Sequence, residues 1–193
     1  MTNRCAWPAG NQLMIDYHDH DWGVPLHDDT RIFEYMVLDA FQAGLSWLTI
    51  LRKRENFRKA FENYNIKKIA SYGETDFNRL MNDAGIIRNR AKINSAIENA
   101  KQYLKVQQEF GSFDVYIWHF IDGKTVINGW QSMKEIPAKS ELSDRISKDL
   151  LKRGFKFVGS TIIYAFLQAM GIVNDHTTDC FRYDELVKMV KKQ

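Results

Sequence analysis

The chain has 193 residues, 45% hydrophobic and 26% charged, with a formal net charge of +3 and two cysteines. That length supports one well-filled core and a single domain over 1–193. No apolar run approaches the roughly 20 residues of a membrane span, and the start lacks the apolar stretch of a secretory signal, so the reading is a cytoplasmic protein with reduced cysteines.

In chain order the signals are helical. Thr30 is placed to cap a helix carrying Phe33, Met36, Val37, Ala40 and Phe41 at spacings of three and four, stopping near Gly44. Ser46 caps the next, whose apolar residues run from Trp47 and Leu48 through Leu51 to Phe57 and Phe61. Thr75 opens a short helix ending at Gly85, which permits a sharp reversal. Ile93, Ala96, Ile97, Ala100 and Leu104 mark a long helix that begins near Asn89 and ends before Gly111. Asp114 to Ile121 reads as helix or strand, and Thr125 to Trp130 as extended chain. Ser140 starts a helix closed by Gly154. Ser160 to Met170 is apolar nearly all round and predicts a buried central helix. The architecture is all-α, one unit with two helical lobes.

Charge is unevenly distributed. Asp16 to Asp39 holds seven acidic residues and only Arg31 as a base, whereas three later stretches are basic. Basic faces beside an acidic pocket region suit a phosphate-backbone ligand, and charge alone fits solvated helix faces equally well. In the hairpin around Gly85, Arg88, Arg90 and Lys92 flank the free N–H groups of a helix start, a ready phosphate site.

Cys5 lies near His18, and His176 lies four residues before Cys180. A histidine and a cysteine four apart on a helical turn can face one ion, and two thiolates with two imidazoles complete the tetrahedral shell of structural zinc. The alternative is two unrelated buried cysteines. Trp7, Tyr17, Trp22 and Trp47 interleave with Asp16, Asp19, Asp21 and Asp39, either as a pocket for a cationic nucleobase or as a tryptophan-rich core ringed by solvated acids. The run His18 to Asp21, with Asp175 and His176, also suggests a phosphohydrolase metal site, which thiolates from Cys5 and Cys180 would close to water.

Longer blocks carry a resemblance. They are Arg-Cys-Ala-Trp at 4–7, Tyr-His-Asp-His-Asp-Trp-Gly-Val-Pro at 17–25, Gln-Ala-Gly-Leu-Ser-Trp at 42–47 and Lys-Arg-Glu-Asn-Phe-Arg at 53–58. Asp-Ala-Gly-Ile-Ile-Arg-Asn-Arg at 83–90, Arg-Gly-Phe-Lys-Phe-Val-Gly at 153–159 and Val-Asn-Asp-His at 173–176 follow. Together they resemble the DNA-3-methyladenine glycosylase I family.

The resemblance implies a helix-hairpin-helix DNA glycosylase fold, with the hairpin at about 75–109. It also implies one structural zinc on Cys5, His18, His176 and Cys180, joining the two ends of the chain. Its base pocket maps onto Trp7, Tyr17, Trp22 and Trp47, with Trp47 and Tyr17 on the base and Asp39 reading its edge. Gly44 and Leu45 fill the gap in the duplex, and Arg88, Arg90 and Lys92 hold the backbone. The implied substrate is double-stranded DNA with alkylated bases, attacked by a monomer without lyase activity; a zinc-stapled lesion-binding protein is the alternative. Where the family has Leu-Glu-Gly this chain has Leu-Asp-Ala, so Asp39 keeps the charge one methylene shorter, which implies lowered activity or a different alkylated base.

Overall fold

The computed structural model describes residues 3–191. Its first helix, α1 (Gln12–His20), is capped by Asn11. The second, α2 (Asp29–Gln42), is buried at every position from Ile32 to Phe41. A helix buried all round belongs at the centre of a fold, and α2 packs against α3 (Trp47–Leu51), α7 (Arg90–Phe110), α8 (Phe113–Trp118) and α10 (Ser160–Ala169). The sequence assigned that central role to α10. Instead α10 packs on α2 and on α9 (Glu141–Lys152), and leaves Thr161 exposed and Ala165 and Gln168 half-buried.

Several boundaries follow the expected caps. Ser46 accepts from Thr49 N–H, Asn89 from Lys92 N–H and Ser140 from Ser143 N–H, and Gly111 ends α7. Others move. Asp28, not Thr30, caps α2, because an aspartate two residues earlier reaches Arg31 N–H at 2.8 Å. Gly73, not Thr75, precedes α6 (Glu74–Asn82). The helix expected through Phe61 breaks into α3 and α4 (Arg54–Ala60), where the Lys53 ammonium is held by the carbonyls of Ala84 and Gly85 at 3.0 and 3.1 Å.

Residues 113–118 resolve to helix, stabilised by the Asp29 carboxylate, which accepts from Phe113 N–H and Asp114 N–H. The extended chain at 125–130 contributes strand β1 (Val126–Ile127), parallel to β2 (Val173–Asn174) in the register Val126 to Val173. After β2 the chain turns through His176 and Cys180 into α11 (Phe181–Val190). One connected hydrophobic core links the helices from both halves of the chain.

Candidate active site and metal centre

The two ends of the chain meet at a cluster of four buried side chains. Ligand atoms of Cys5, His18, His176 and Cys180 all lie within 4.8 Å of one another. His176 and Cys180 do not sit on one helical turn, as their spacing suggested. Cys180 is the N-cap of α11, and His176 lies in the preceding turn. Cys180 Sγ is 3.5 Å from both His18 Nε2 and His176 Nδ1, and Cys5 Sγ is 3.6 Å from His176 Nδ1.

The outer nitrogens are committed. His18 Nδ1 lies 2.7 Å from Asp19, and His176 Nε2 lies 3.0 Å from the Trp22 carbonyl. Outer acceptors of this kind fix the tautomer of a metal-binding imidazole. Partial burial works against the charge of Asp19, yet hydrogen bonds from Arg4 and His18 hold its carboxyl below the ordinary range. The thiols are polarised apart. The contact with Cys5, with help from both imidazoles, favours a Cys180 thiolate, while the contact with Cys180 and burial keep the Cys5 proton on. An anionic sulfur, a second sulfur and two imidazoles suit a tetrahedral divalent ion. Of the His18 to Asp21 run, only His18 joins this cluster, which removes the basis for a phosphohydrolase centre.

An aromatic chain leads from the cluster to a cavity. His176 meets Trp22 at 4.6 Å between ring centroids, Trp22 meets Trp7 at 5.3 Å, Trp7 meets Tyr17 at 6.1 Å, and Tyr17 meets Trp47 at 5.1 Å. The four expected aromatic residues therefore converge, with Asp39, on one cavity of about 460 Å³. That size falls in the range of roughly 300–1,000 Å³ usual for small-molecule sites. Tyr17 and Trp47 are inclined by 54°, so the two rings do not form a parallel slot.

Three buried polar atoms of the cavity lining are unsatisfied. Asp39 is 4% exposed, and its Oδ2 has no partner among the described residues; the indole nitrogens of Trp7 and Trp47 are likewise buried without partners there. Burial, with no cation to offset it, pushes the Asp39 carboxyl well above its ordinary pKa. The neighbouring acids are spent elsewhere: Asp16 accepts from Gln12, Asp19 from Arg4, and Asp21 from Arg31 and Arg54. Among the four, only Asp39 lines the cavity.

The remaining expected residues divide. Gly44 and Leu45 form an exposed turn between α2 and α3, with Gly44 at φ +78° and Leu45 39% exposed, lining a smaller pocket that shares Asp39, Gln42, Thr161 and Ala165 with the cavity. Arg88 and Arg90 are on the surface, Arg90 stacked 4.8 Å from the Phe77 ring. Lys92 corrects the reading: it is 7% exposed, and its ammonium donates to the carbonyls of Phe41 and Ala43 at 2.9 and 2.6 Å. It satisfies the C-terminal end of α2 and faces no solvent. Gly85 also works differently, since a Cβ there would meet Asp83 Oδ1 at 2.8 Å; the turn needs close approach, not a left-handed residue.

The sequence reading missed most of the cavity wall, chiefly Met133, Ile136 and Pro137 from the segment before α9, and Thr161, Tyr164 and Gln168 from α10. The polar residues of α10 at spacings of three and four were the available signal. A larger groove of about 900 Å³ runs beside α6 and α7, lined by Tyr72, Phe77, Arg90 and Lys156. Its lining includes no buried unpaired carboxyl among the described residues, which sets it apart from the smaller cavity.

A helical scaffold with an aromatic cavity and one buried carboxyl in its wall has the shape and chemistry that suit a flat, electron-poor ring. The sequence model of the methyladenine glycosylase family matches residues 7–183, and the chain belongs to that family. It is 46% identical over 180 residues to DNA-3-methyladenine glycosylase 1 of Escherichia coli (strain K12), covering 93% of this chain and 96% of that one. A crystal structure of a 3-methyladenine DNA glycosylase I superposes with a TM-score of 0.90 at 47% identity, over 93% and 98% of the two chains. The structure that describes 3-methyladenine recognition by the Staphylococcus aureus enzyme matches equally well at 0.90 and 35% identity, over 93% and 96%.

Proposed function

We propose that this protein removes 3-methyladenine from double-stranded DNA as a monomeric, monofunctional glycosylase, leaving an abasic site. The observation that carries this reading is Asp39, a carboxyl with no cation of its own in a cavity walled by Tyr17, Trp22, Trp47 and Trp7. A neutral purine gains little from such a group. A methylated, cationic purine supplies the missing charge, and its exocyclic amine supplies a donor.

The chemistry asked of the protein is small. The bond from the sugar C1′ to the base nitrogen breaks with its electron pair staying on the base, which becomes neutral. Water adds to C1′ and loses a proton. The residues hold the extruded nucleotide against an unstacking cost of a few kcal/mol. Tyr17 or Trp47 stacks on the ring, Asp39 takes its edge, and Leu45 fills the vacated space in the duplex. Arg88 and Arg90 take backbone phosphates. Lys92, buried under the Gly44 turn, holds the helix end that carries the wedge.

Cys5, His18, His176 and Cys180 would hold one zinc ion, whose closed shell supplies no catalytic water and ties both chain ends to the wall formed by Trp7 and Trp22. The shorter reach of Asp39 is accommodated by a base seated nearer to α2. The test is chromatography of bases freed from methylated duplex DNA. The expected result is 3-methyladenine with little 7-methylguanine; DNA binding without release of any base overturns the proposal in favour of lesion binding.

A further inference from the structure

Asp175 is 1% exposed and has no cationic partner among the described residues, yet its carboxylate accepts four hydrogen bonds. Asn128 Nδ2 and Trp130 Nε1 donate to Oδ1 at 2.6 and 2.7 Å. The Tyr164 hydroxyl and Gln168 Nε2 donate to Oδ2, both at 2.7 Å. The first two donors come from the chain just after β1, and the last two from α10, so one side chain joins separate parts of the fold.

Tyr164 and Gln168 both line the cavity that holds Asp39. A carboxylate can only accept, so its bond to Gln168 decides which end of that amide is nitrogen. The carbonyl Oε1 is then the end left free to accept. The same logic commits the Tyr164 hydrogen to Asp175 and leaves a lone pair on its oxygen. Burial and the bond to Asp175 both raise the Tyr164 pKa, which keeps that hydrogen in place. Without Asp175 the Gln168 amide could turn over and present N–H to the cavity. The unsatisfied indole donors of Trp7 and Trp47 come from other elements, so α10 supplies acceptors while those rings supply donors.

We infer that Asp175 sets the polarity of the α10 wall, and that Gln168, held as an acceptor, selects alkylated purines bearing an exocyclic amine over those bearing a carbonyl at that place. This rests on the cavity being the base pocket. Asp175 is a positioning residue acting through Gln168; Gln168 touches the base.

The test uses free 3-methyladenine and 3-methylhypoxanthine, in which the amine is replaced by a carbonyl, titrated against tryptophan fluorescence. The proteins are the wild type, Gln168→Met, Asp175→Asn and the double variant, each checked for bound metal and melting temperature. The wild type is expected to favour 3-methyladenine. Gln168→Met should lose about tenfold in affinity for it, the worth of one buried hydrogen bond, with little change for the carbonyl analogue. Asp175→Asn should shrink the same ratio, and the double variant should be no worse than Gln168→Met, because the two act as one unit. A purely structural role for Asp175 would lower melting temperature and leave the ratio alone. Unchanged discrimination by Gln168→Met overturns the inference, even where Asp175→Asn fails to fold. A wild type that binds neither base overturns the pocket reading itself.

Discussion

Asp39→Asn should make the protein more stable and less active. Unfolded Asp39 ionises near 3.8, while burial in the fold raises its pKa well above that value. Above the ordinary value, the unfolded chain therefore binds fewer protons than the fold, and the contribution of Asp39 to stability falls as pH rises towards the raised value. Each pH unit over which the fold keeps a proton that the unfolded chain has lost costs about 1.36 kcal/mol. Asparagine keeps the shape and the unsatisfied polar atoms but carries no such cost. The variant should melt higher than the wild type near pH 7 and at the same temperature near pH 4, with the gap widening between. Excision should fall by about 10- to 100-fold, the worth of a hydrogen bond to a charged group. Thermal melts of both proteins across pH test the reasoning. A difference in melting temperature that does not grow with pH, or a variant less stable near neutrality, would refute it.

Cys5→Ser or Cys180→Ser should bind less than one equivalent of metal and melt on the order of 10 °C lower, as read by metal analysis and calorimetry. Leu45→Ala should change stability by less than about 0.5 kcal/mol, since the side chain is already exposed. It should slow base release from duplex about tenfold and leave release from single strands unchanged, because only a duplex has a gap to fill. Gly171→Ala should cost on the order of 3 kcal/mol or more in denaturant melts. Its φ is +69°, and a Cβ there would lie 2.3 Å from the Val24 carbonyl carbon.

The parts legible in the sequence were those set by local chemistry or by rare residue types. Ser46, Asn89 and Ser140 announce helix starts because a short polar side chain there satisfies free N–H groups. Two cysteines, each with a histidine close by, point to one cluster although they lie at opposite ends of the chain. What could not be read depends on where long side chains turn. Lys92 resembles its surface neighbours Arg88 and Arg90 in sequence, yet the helix phase aims it at the carbonyl end of α2. The acids at 16, 19 and 21 looked like pocket residues until their arginine and glutamine partners were placed. The hydrophobicity of α10 suggested full burial, although one face forms the cavity wall. A cavity needs apolar lining as much as a core does, so composition alone does not separate them.

The most direct test of the account is a crystal structure of the protein soaked with 3-methyladenine. The account predicts the ring in the cavity, stacked on Tyr17 or Trp47, with its exocyclic amine donating to Asp39. A ring seated in the wider groove between Tyr72 and Lys156, with the cavity unchanged, would contradict it.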